Sequence, residues 1–253
     1  MIQLYNGDCL EVMDKLIAEG IKVDAIICDP PYGTTACKWD SVIPLDKMWK
    51  KLNLLIKKDG AIAIFGQEPF STLVRSSNIK KFKYDWLWEK ENGSNFATVK
   101  YQPFKVHEII SIFGDFPLSY TKSGRKNYNP QFSKGEPYTV NRKAIQREQM
   151  NVGLNKETTL KNEGIRYPKS IIKFNTVRGG LHKTQKPIKL MEYLIKTYTN
   201  EGDTVLDFTM GSGTTGIASI NTNRNFIGIE LDETYFNIAK ERIENEGNQL
   251  SIF

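Results

Sequence analysis

The sequence predicts a doubly wound α/β domain interrupted by a basic insert. Three observations lead there. Compact apolar runs such as Val23–Cys28 have the composition of buried parallel strands and alternate with stretches of helical period. Two of these runs end in turns rich in Pro or Gly, at Asp29-Pro30-Pro31-Tyr32 and Asp207 to Gly216. From about Ser119 to Gly180, by contrast, Gly, Pro, Asn and Lys are scattered without a sustained period. A chain of 253 residues is long enough for one such domain with a modest insertion.

The elements follow in order. Ile2 to Tyr5 reads as a short strand and Cys9 to Ala18 as a helix. The strand Val23–Cys28 stops at Asp29-Pro30-Pro31 because proline cannot donate to a central ladder. Leu45, Met48, Trp49, Leu52 and Leu55 mark one helix face; Lys58-Asp59-Gly60 ends that helix, and Ala61 to Phe65 forms the next strand. Further strands are expected at Tyr84–Trp88 and Glu108–Phe113. After the insert, Lys186-Pro187 opens a helix backed by Leu190, Met191, Leu194, Ile195 and Tyr198. A strand Thr204–Phe208, a helix Thr214–Asn221, a strand Phe226–Leu231 and a helix Thr234–Glu244 complete the pattern. The segments are therefore 1–118, an insert 119–180, and 181–253.

Composition narrows the class. Hydrophobic residues make up 40% and charged residues 25%, ordinary for a globular protein. No apolar run approaches the roughly 20 residues of a membrane span, and Met1-Ile2-Gln3-Leu4 does not open a signal peptide, so a cytoplasmic location and no membrane partner are expected. Cys9, Cys28 and Cys37 show no CxxC spacing and are read as small buried hydrophobes, with neither disulfide framework nor metal. Between Tyr120 and Leu190 there are 16 Lys and Arg against 4 Glu and no Asp, a balance of +12, which leaves −6 for the rest of a chain whose net charge is +6. Such a segment suits phosphate recognition, and the interleaved Tyr120, Tyr128, Phe132, Tyr138, Tyr167 and Phe174 suit base stacking; a lysine-rich solvated surface is the plain alternative.

The turn Asp207-Phe208-Thr209-Met210-Gly211-Ser212-Gly213-Thr214-Thr215-Gly216 joins a strand to a helix. Its glycines permit close backbone approach to a ligand, and the helix behind it offers free N–H groups. The next strand ends at Glu230, whose carboxylate suits two ribose hydroxyls. The pattern supports a nucleoside-containing ligand, and its Gly-x-Gly-x-x-Gly spacing keeps a nicotinamide cofactor open. Asp29-Pro30-Pro31-Tyr32 lies where open α/β sheets bind ligands. An aromatic amine is a weak nucleophile because its lone pair is delocalised. Asp29 accepting one amino hydrogen and the Pro30 carbonyl the other favour a pyramidal nitrogen, while Tyr32 offers a flat face for a base.

With both turns in hand, the chain resembles the β-class amino-methylating DNA methyltransferases, in which Asp-Pro-Pro-Tyr precedes the variable region and the cofactor turn comes last. Asn6-Gly7-Asp8-Cys9, Lys105 to Ile110, His182 to Pro187 and Ile227 to Leu231 are similar to further family segments. The resemblance implies a Rossmann-like S-adenosylmethionine-dependent methyltransferase sheet, with 1–118 as the catalytic half, 119–180 as the target-recognition insert and 181–253 as the cofactor half. Asp29, Pro30, Pro31 and Tyr32 would be catalytic. Asp8, Asp29, Lys186, Asp207, Phe208, Thr209, Gly211, Ser212, Gly213, Thr214, Thr215, Glu230 and Leu231 would bind the cofactor. The family usually has Asp-Pro-Phe where this chain has Asp207-Phe208-Thr209, a departure expected to loosen the turn.

What the resemblance implies for function is transfer of a methyl group from S-adenosylmethionine to adenine N6 in double-stranded DNA, by base flipping and direct in-line attack. Asp rather than Ser in the tetrapeptide favours adenine over the alternative, cytosine N4. Arg125, Lys126, Arg142, Lys143, Arg147, Arg166 and Arg178 are the candidate DNA contacts. His107 and His182 have no assigned proton-transfer role. A homodimer and a separately encoded cognate restriction nuclease are further partners the resemblance raises, in a prokaryotic or phage-infected cell. The competing classes are a nicotinamide oxidoreductase, a catalytically silent DNA-binding module, and a methyltransferase acting on RNA or protein.

Overall fold

The computed structural model describes residues 1–34, 41–118, 128–142, 157–177, 179 and 185–250. They form β1 (Ile2–Asn6), α1 (Cys9–Ala18), β2 (Val23–Cys28), α2 (Leu45–Leu55), β3 (Ile56–Gly66), α3 (Phe70–Ser77), β4 (Phe82–Glu89) and β5 (His107–Phe113). There follow β6 (Ser133–Lys134), β7 (Tyr138–Arg142), β8 (Thr158–Asn162), β9 (Ile165–Arg166) and β10 (Ile171–Lys173). The chain continues with α4 (Ile188–Tyr198), β11 (Thr204–Asp207), α5 (Thr214–Asn221), β12 (Asn225–Glu230) and α6 (Glu233–Leu250).

One sheet runs β1-β12-β11-β2-β3-β5-β4-β10. Pairing is parallel from β1 to β3, and β5 is antiparallel to both β3 and β4. Both faces are covered. Val12, Met13 and Leu16 of α1, Met48 and Leu52 of α2 and Phe70 of α3 pack on one face. Leu190, Leu194 and Tyr198 of α4, Ile217 of α5, and Ala239 and Ile243 of α6 pack on the other. This is the doubly wound arrangement expected, and burial of all six residues of β2 shows why five of them are apolar. The carboxyl ends of β1, β12, β11, β2 and β3 consequently open on one edge.

The chain divides into two compact units, Met1–Asn129 with Ser170–Phe253, and Pro130–Lys169. The smaller contains two antiparallel pairs, β6 with β9 and β7 with β8. The main sheet claims β10, which pairs in parallel with β4, so it reaches into the stretch whose sequence lacks period. Among the described residues, no helix is long and apolar enough to cross a membrane.

Three local differences from the sequence pattern have physical causes. Lys58-Asp59-Gly60 does not end a helix but lies inside β3, which begins directly after α2. The pairing with β2 shifts between Val23 and Ala25, and a Cβ at Gly60 would lie 2.7 Å from the Asp24 carbonyl, so only glycine passes this bulge. Lys57 Nζ pairs with buried Asp24 at 2.7 Å, which accounts for Lys57 in β3 and Asp24 in β2. The short helix α3 has too few turns for its period to show, and α6 continues to Leu250 beyond its apolar stripe.

Candidate active site

The two turns meet because β2 and β11 are neighbours, with Leu206 opposite Ile26. The Thr209 hydroxyl donates to the Asp29 carbonyl at 3.2 Å and lies 2.9 Å from Cys28 Sγ, tying one turn to the other. Together they line a cavity of about 1470 Å³.

Asp29 sits at its wall with 22% of its side chain exposed. Tyr32 OH donates to Asp29 Oδ1, and Lys186 Nζ donates to Oδ2 at 2.5 Å. Lys186 also lies 3.3 Å from Glu108 Oε2, and Glu108 Oε1 accepts from Lys90 Nζ at 2.8 Å. Asp29, Lys186, Glu108 and Lys90 thus form a charge-balanced row in which the last three are buried. Burial would lower Lys186, but Asp29 and Glu108 outweigh it and raise the ammonium above its ordinary range. Burial would raise Glu108, but Lys186 and Lys90 hold it below the usual carboxylate range. Asp29 stays raised, because burial and Glu108 together exceed what Lys186 and Tyr32 take back. Burial, with Asp29 beside it, lifts the Tyr32 phenol well above its usual range, so it remains a donor. Its ring stacks on Phe70 of α3 at 5.0 Å and 27°.

Lys90 and Glu108 were not among the residues expected from sequence. Glu108 carried a signal: a carboxylate inside the apolar strand His107–Phe113. Lys90 carried none, since it follows a strand end at which a solvated lysine is ordinary.

The glycine turn is built from backbone. Gly211, at φ +52°, donates its N–H to Glu230 Oε2 at 2.8 Å, while the Asp232 N–H reaches Oε1 at 2.9 Å. A Cβ on Gly211 would meet nothing within 4 Å, so the cavity approaches bare backbone there. Gly213 and Gly216 serve packing: a Cβ would lie 2.9 Å from Ala239 at the first and 2.4 Å from Ile243 at the second. Asp207 accepts from the Thr209 N–H at 3.1 Å and from the Thr215 hydroxyl at 2.5 Å, closing the turn without a proline. Burial pushes the Asp207 carboxyl up to about 7 and raises Glu230 above the usual range.

The remaining expected residues divide clearly. Asp8 caps α1, accepting from the Leu10 and Glu11 N–H groups, and lines the cavity, as do Pro30, Pro31, Ser212, Thr214 and Leu231. Phe208 is also at the wall but is fully buried in the core. His107 lines the cavity. Burial pushes the Cys9 thiol up to about 12 and Cys28 well above its usual range, so neither is a ready nucleophile. Of the candidate DNA contacts, Arg166 is engaged within its own unit, hydrogen-bonded to Asn162 Oδ1 and the Glu136 carbonyl and 4.7 Å above the Tyr138 ring. Arg142 ends β7. Arg125, Lys126, Lys143, Arg147 and Arg178, with Cys37 and His182, lie outside the described residues.

The cavity is acidic. Among its described lining residues are Asp8, Asp29, Glu68, Glu108, Asp207, Glu230, Asp232 and Glu233, against Lys105 and Lys186. Such a wall repels a diphosphate and favours a ligand with cationic centres.

The family model for DNA methylases of the N6/N4 class matches residues 23–241. A Type II methyltransferase, M2.DpnII of Streptococcus pneumoniae, is 48% identical over 96% of this chain and 90% of its own length. The DNA adenine methyltransferase YhdJ of Escherichia coli (strain K12) is 27% identical over 95% of this chain and 82% of its own. The crystal structure of an M1.HpyAVI–SAM complex superposes with a TM-score of 0.65 at 27% identity, covering 96% of this chain and 100% of that one.

Proposed function

Since the chain belongs to the N6/N4 class of DNA methylases, we propose that it methylates adenine N6 in double-stranded DNA, with the target base flipped into the cavity beside Tyr32. S-adenosylmethionine is the cofactor, and its sulfonium supplies the electrophilic methyl group. The residues present fit it. Gly211 leaves open space for a ligand against the backbone, Glu230 presents a carboxylate at the end of β12, and Asp8, Asp232 and Glu233 complete an acidic wall suited to sulfonium and ammonium charges. The same wall disfavours the pyrophosphate of a nicotinamide dinucleotide.

The observation that carries the proposal is the Asp29 carboxylate, held by Tyr32 and Lys186 at the head of β2. Asp29 accepts one hydrogen of the exocyclic amine and the Pro30 carbonyl the other, which localises the nitrogen lone pair for direct in-line attack. A raised Asp29 is also the better acceptor for the proton the amine sheds. Lys186 fixes the orientation of the carboxylate and keeps two neighbouring acids from repelling each other. Asp in the first position of the tetrapeptide and the likeness to YhdJ favour adenine over cytosine N4. Residues 1–118 act as the catalytic half, 181–253 as the cofactor half, and the basic stretch 119–180 as the duplex contact. A cognate nuclease fits the Type II methyltransferase relatives.

The test is transfer of labelled methyl from S-adenosylmethionine to mixed-sequence duplex DNA, with the product nucleosides separated by mass. N6-methyladenine is expected. N4-methylcytosine would overturn the target and keep the chemistry; unlabelled DNA with normally bound cofactor would overturn both.

A further inference from the structure

The connection from β4 to β5 forms part of the cavity wall, and the chemistry above leaves it without a role. It is braced from within. Asn95 Nδ2 donates to the Pro103 carbonyl at 3.0 Å, Asn95 Oδ1 accepts from the Lys105 N–H at 2.7 Å, and the Ser94 N–H reaches the Lys105 carbonyl at 3.1 Å. Inside this frame a single 3-10 turn, Phe96–Thr98, is extended by Gln102 Nε2 donating to Thr98 Oγ1 at 2.6 Å. Ser94, Asn95, Gln102 and Phe104 line the same cavity as Asp29 and Tyr32.

Two large aromatic side chains ride on the loop almost uncovered: Phe96 is 81% exposed and Tyr101 is 89% exposed. The Phe96 ring meets Phe104 edge-on at 6.2 Å, linking the exposed ring to the cavity wall. Between Asn92 and Val106 the loop carries Lys100 and Lys105 and no carboxylate, although the cavity behind it is acidic. Aromatics held in water by a braced loop gain nothing for folding. Exposed flat rings on a loop that carries two lysines and lines the site match a nucleic-acid base stack in shape and in charge.

We propose that Phe96 and Tyr101 enter the base stack of the substrate duplex at the target step, one ring filling the gap that the extruded base leaves. This rests on the base-flipping methyltransferase reading above and assigns the opening of the duplex to the β4–β5 loop.

The test compares kcat/KM on two oligonucleotide duplexes carrying the methylated site found with mixed-sequence DNA. One is fully paired. The other has the target base opposite an abasic position, where the pair is already broken. The Phe96→Ala/Tyr101→Ala double variant is expected to lose at least about tenfold on the paired duplex and less than about threefold on the abasic one. Tyr101→Trp should retain activity on the paired duplex, because any flat ring serves, and calorimetry should show unchanged cofactor affinity in all variants. Equal losses on both duplexes, or none on either, would overturn the inference. So would a change of oligomeric state in sedimentation without a loss specific to paired DNA, which would make the rings a self-association surface. Wild-type protein that labels no site in mixed-sequence DNA would overturn the methyltransferase reading itself, an outcome distinct from active wild type with indifferent variants.

Discussion

The turn after β2 and the turn after β11 stand side by side on the sheet and share one cavity, yet they are held in opposite ways. The first is fixed by charge: Asp29, Lys186, Glu108 and Lys90 neutralise one another where water hardly reaches. The second is fixed by backbone: Gly211 donates to Glu230, and Gly213 lets α5 approach α6. A charge row fails abruptly, because removing one member strands its neighbours in low dielectric. A backbone turn fails by degrees, as each added atom finds or lacks room.

The sharpest way to break this contrast is Asp29→Ala. Turnover should fall by on the order of 10³-fold or more while cofactor affinity changes little; single-turnover assays and calorimetry would measure the two separately, and retained turnover would remove Asp29 from the chemistry. Lys186→Met comes next. It leaves buried Glu108 beside the part-buried Asp29 with no cation between them, and a loss of about 3–5 kcal/mol in urea unfolding is expected, together with impaired turnover.

Asp207 offers a pH-dependent test on the backbone side. Its folded value of about 7 lies above the ordinary 3.8, so the protonated form is favoured on folding. The associated stability is present in full below about pH 4, drains away as pH rises towards 7, and is absent above it; at most about 4 kcal/mol is involved. In Asp207→Asn that part of the pH slope should vanish from urea unfolding curves. The smallest effects belong to the glycines, and they should differ. Gly213→Ala combines φ +81° with a contact at 2.9 Å and should cost about 2–3 kcal/mol of stability. Gly211→Ala, with open space ahead of its Cβ, should cost about 1 kcal/mol but weaken cofactor binding roughly tenfold. Equal behaviour of the two would dissolve the distinction between a packing glycine and a ligand-facing one.

Much of this architecture is local and was therefore open to the sequence. A strand buried on both faces needs a mainly apolar run, and β2 begins and ends where its run does, with Asp24 inside it neutralised by Lys57. The helices α1 and α5 likewise match their periodic segments, and both site turns are contiguous peptides whose residue types state their geometry. Chain order alone also placed the two turns on strands of one sheet. Only the tertiary structure decided what surrounds them. Lys186 reaches Asp29 across 157 residues, Thr209 reaches Cys28 across 181, and Lys90 finds Glu108 through the antiparallel return of β5. None of these pairs has a spacing rule, because strand pairing across crossovers and long returns, not local propensity, brings them within hydrogen-bond range. The stretch without period shows the same limit, since β10 is a strand only because the edge of β4 is there to pair with it. Residue type determined what chemistry the site can offer; burial and neighbours decided which charges it keeps.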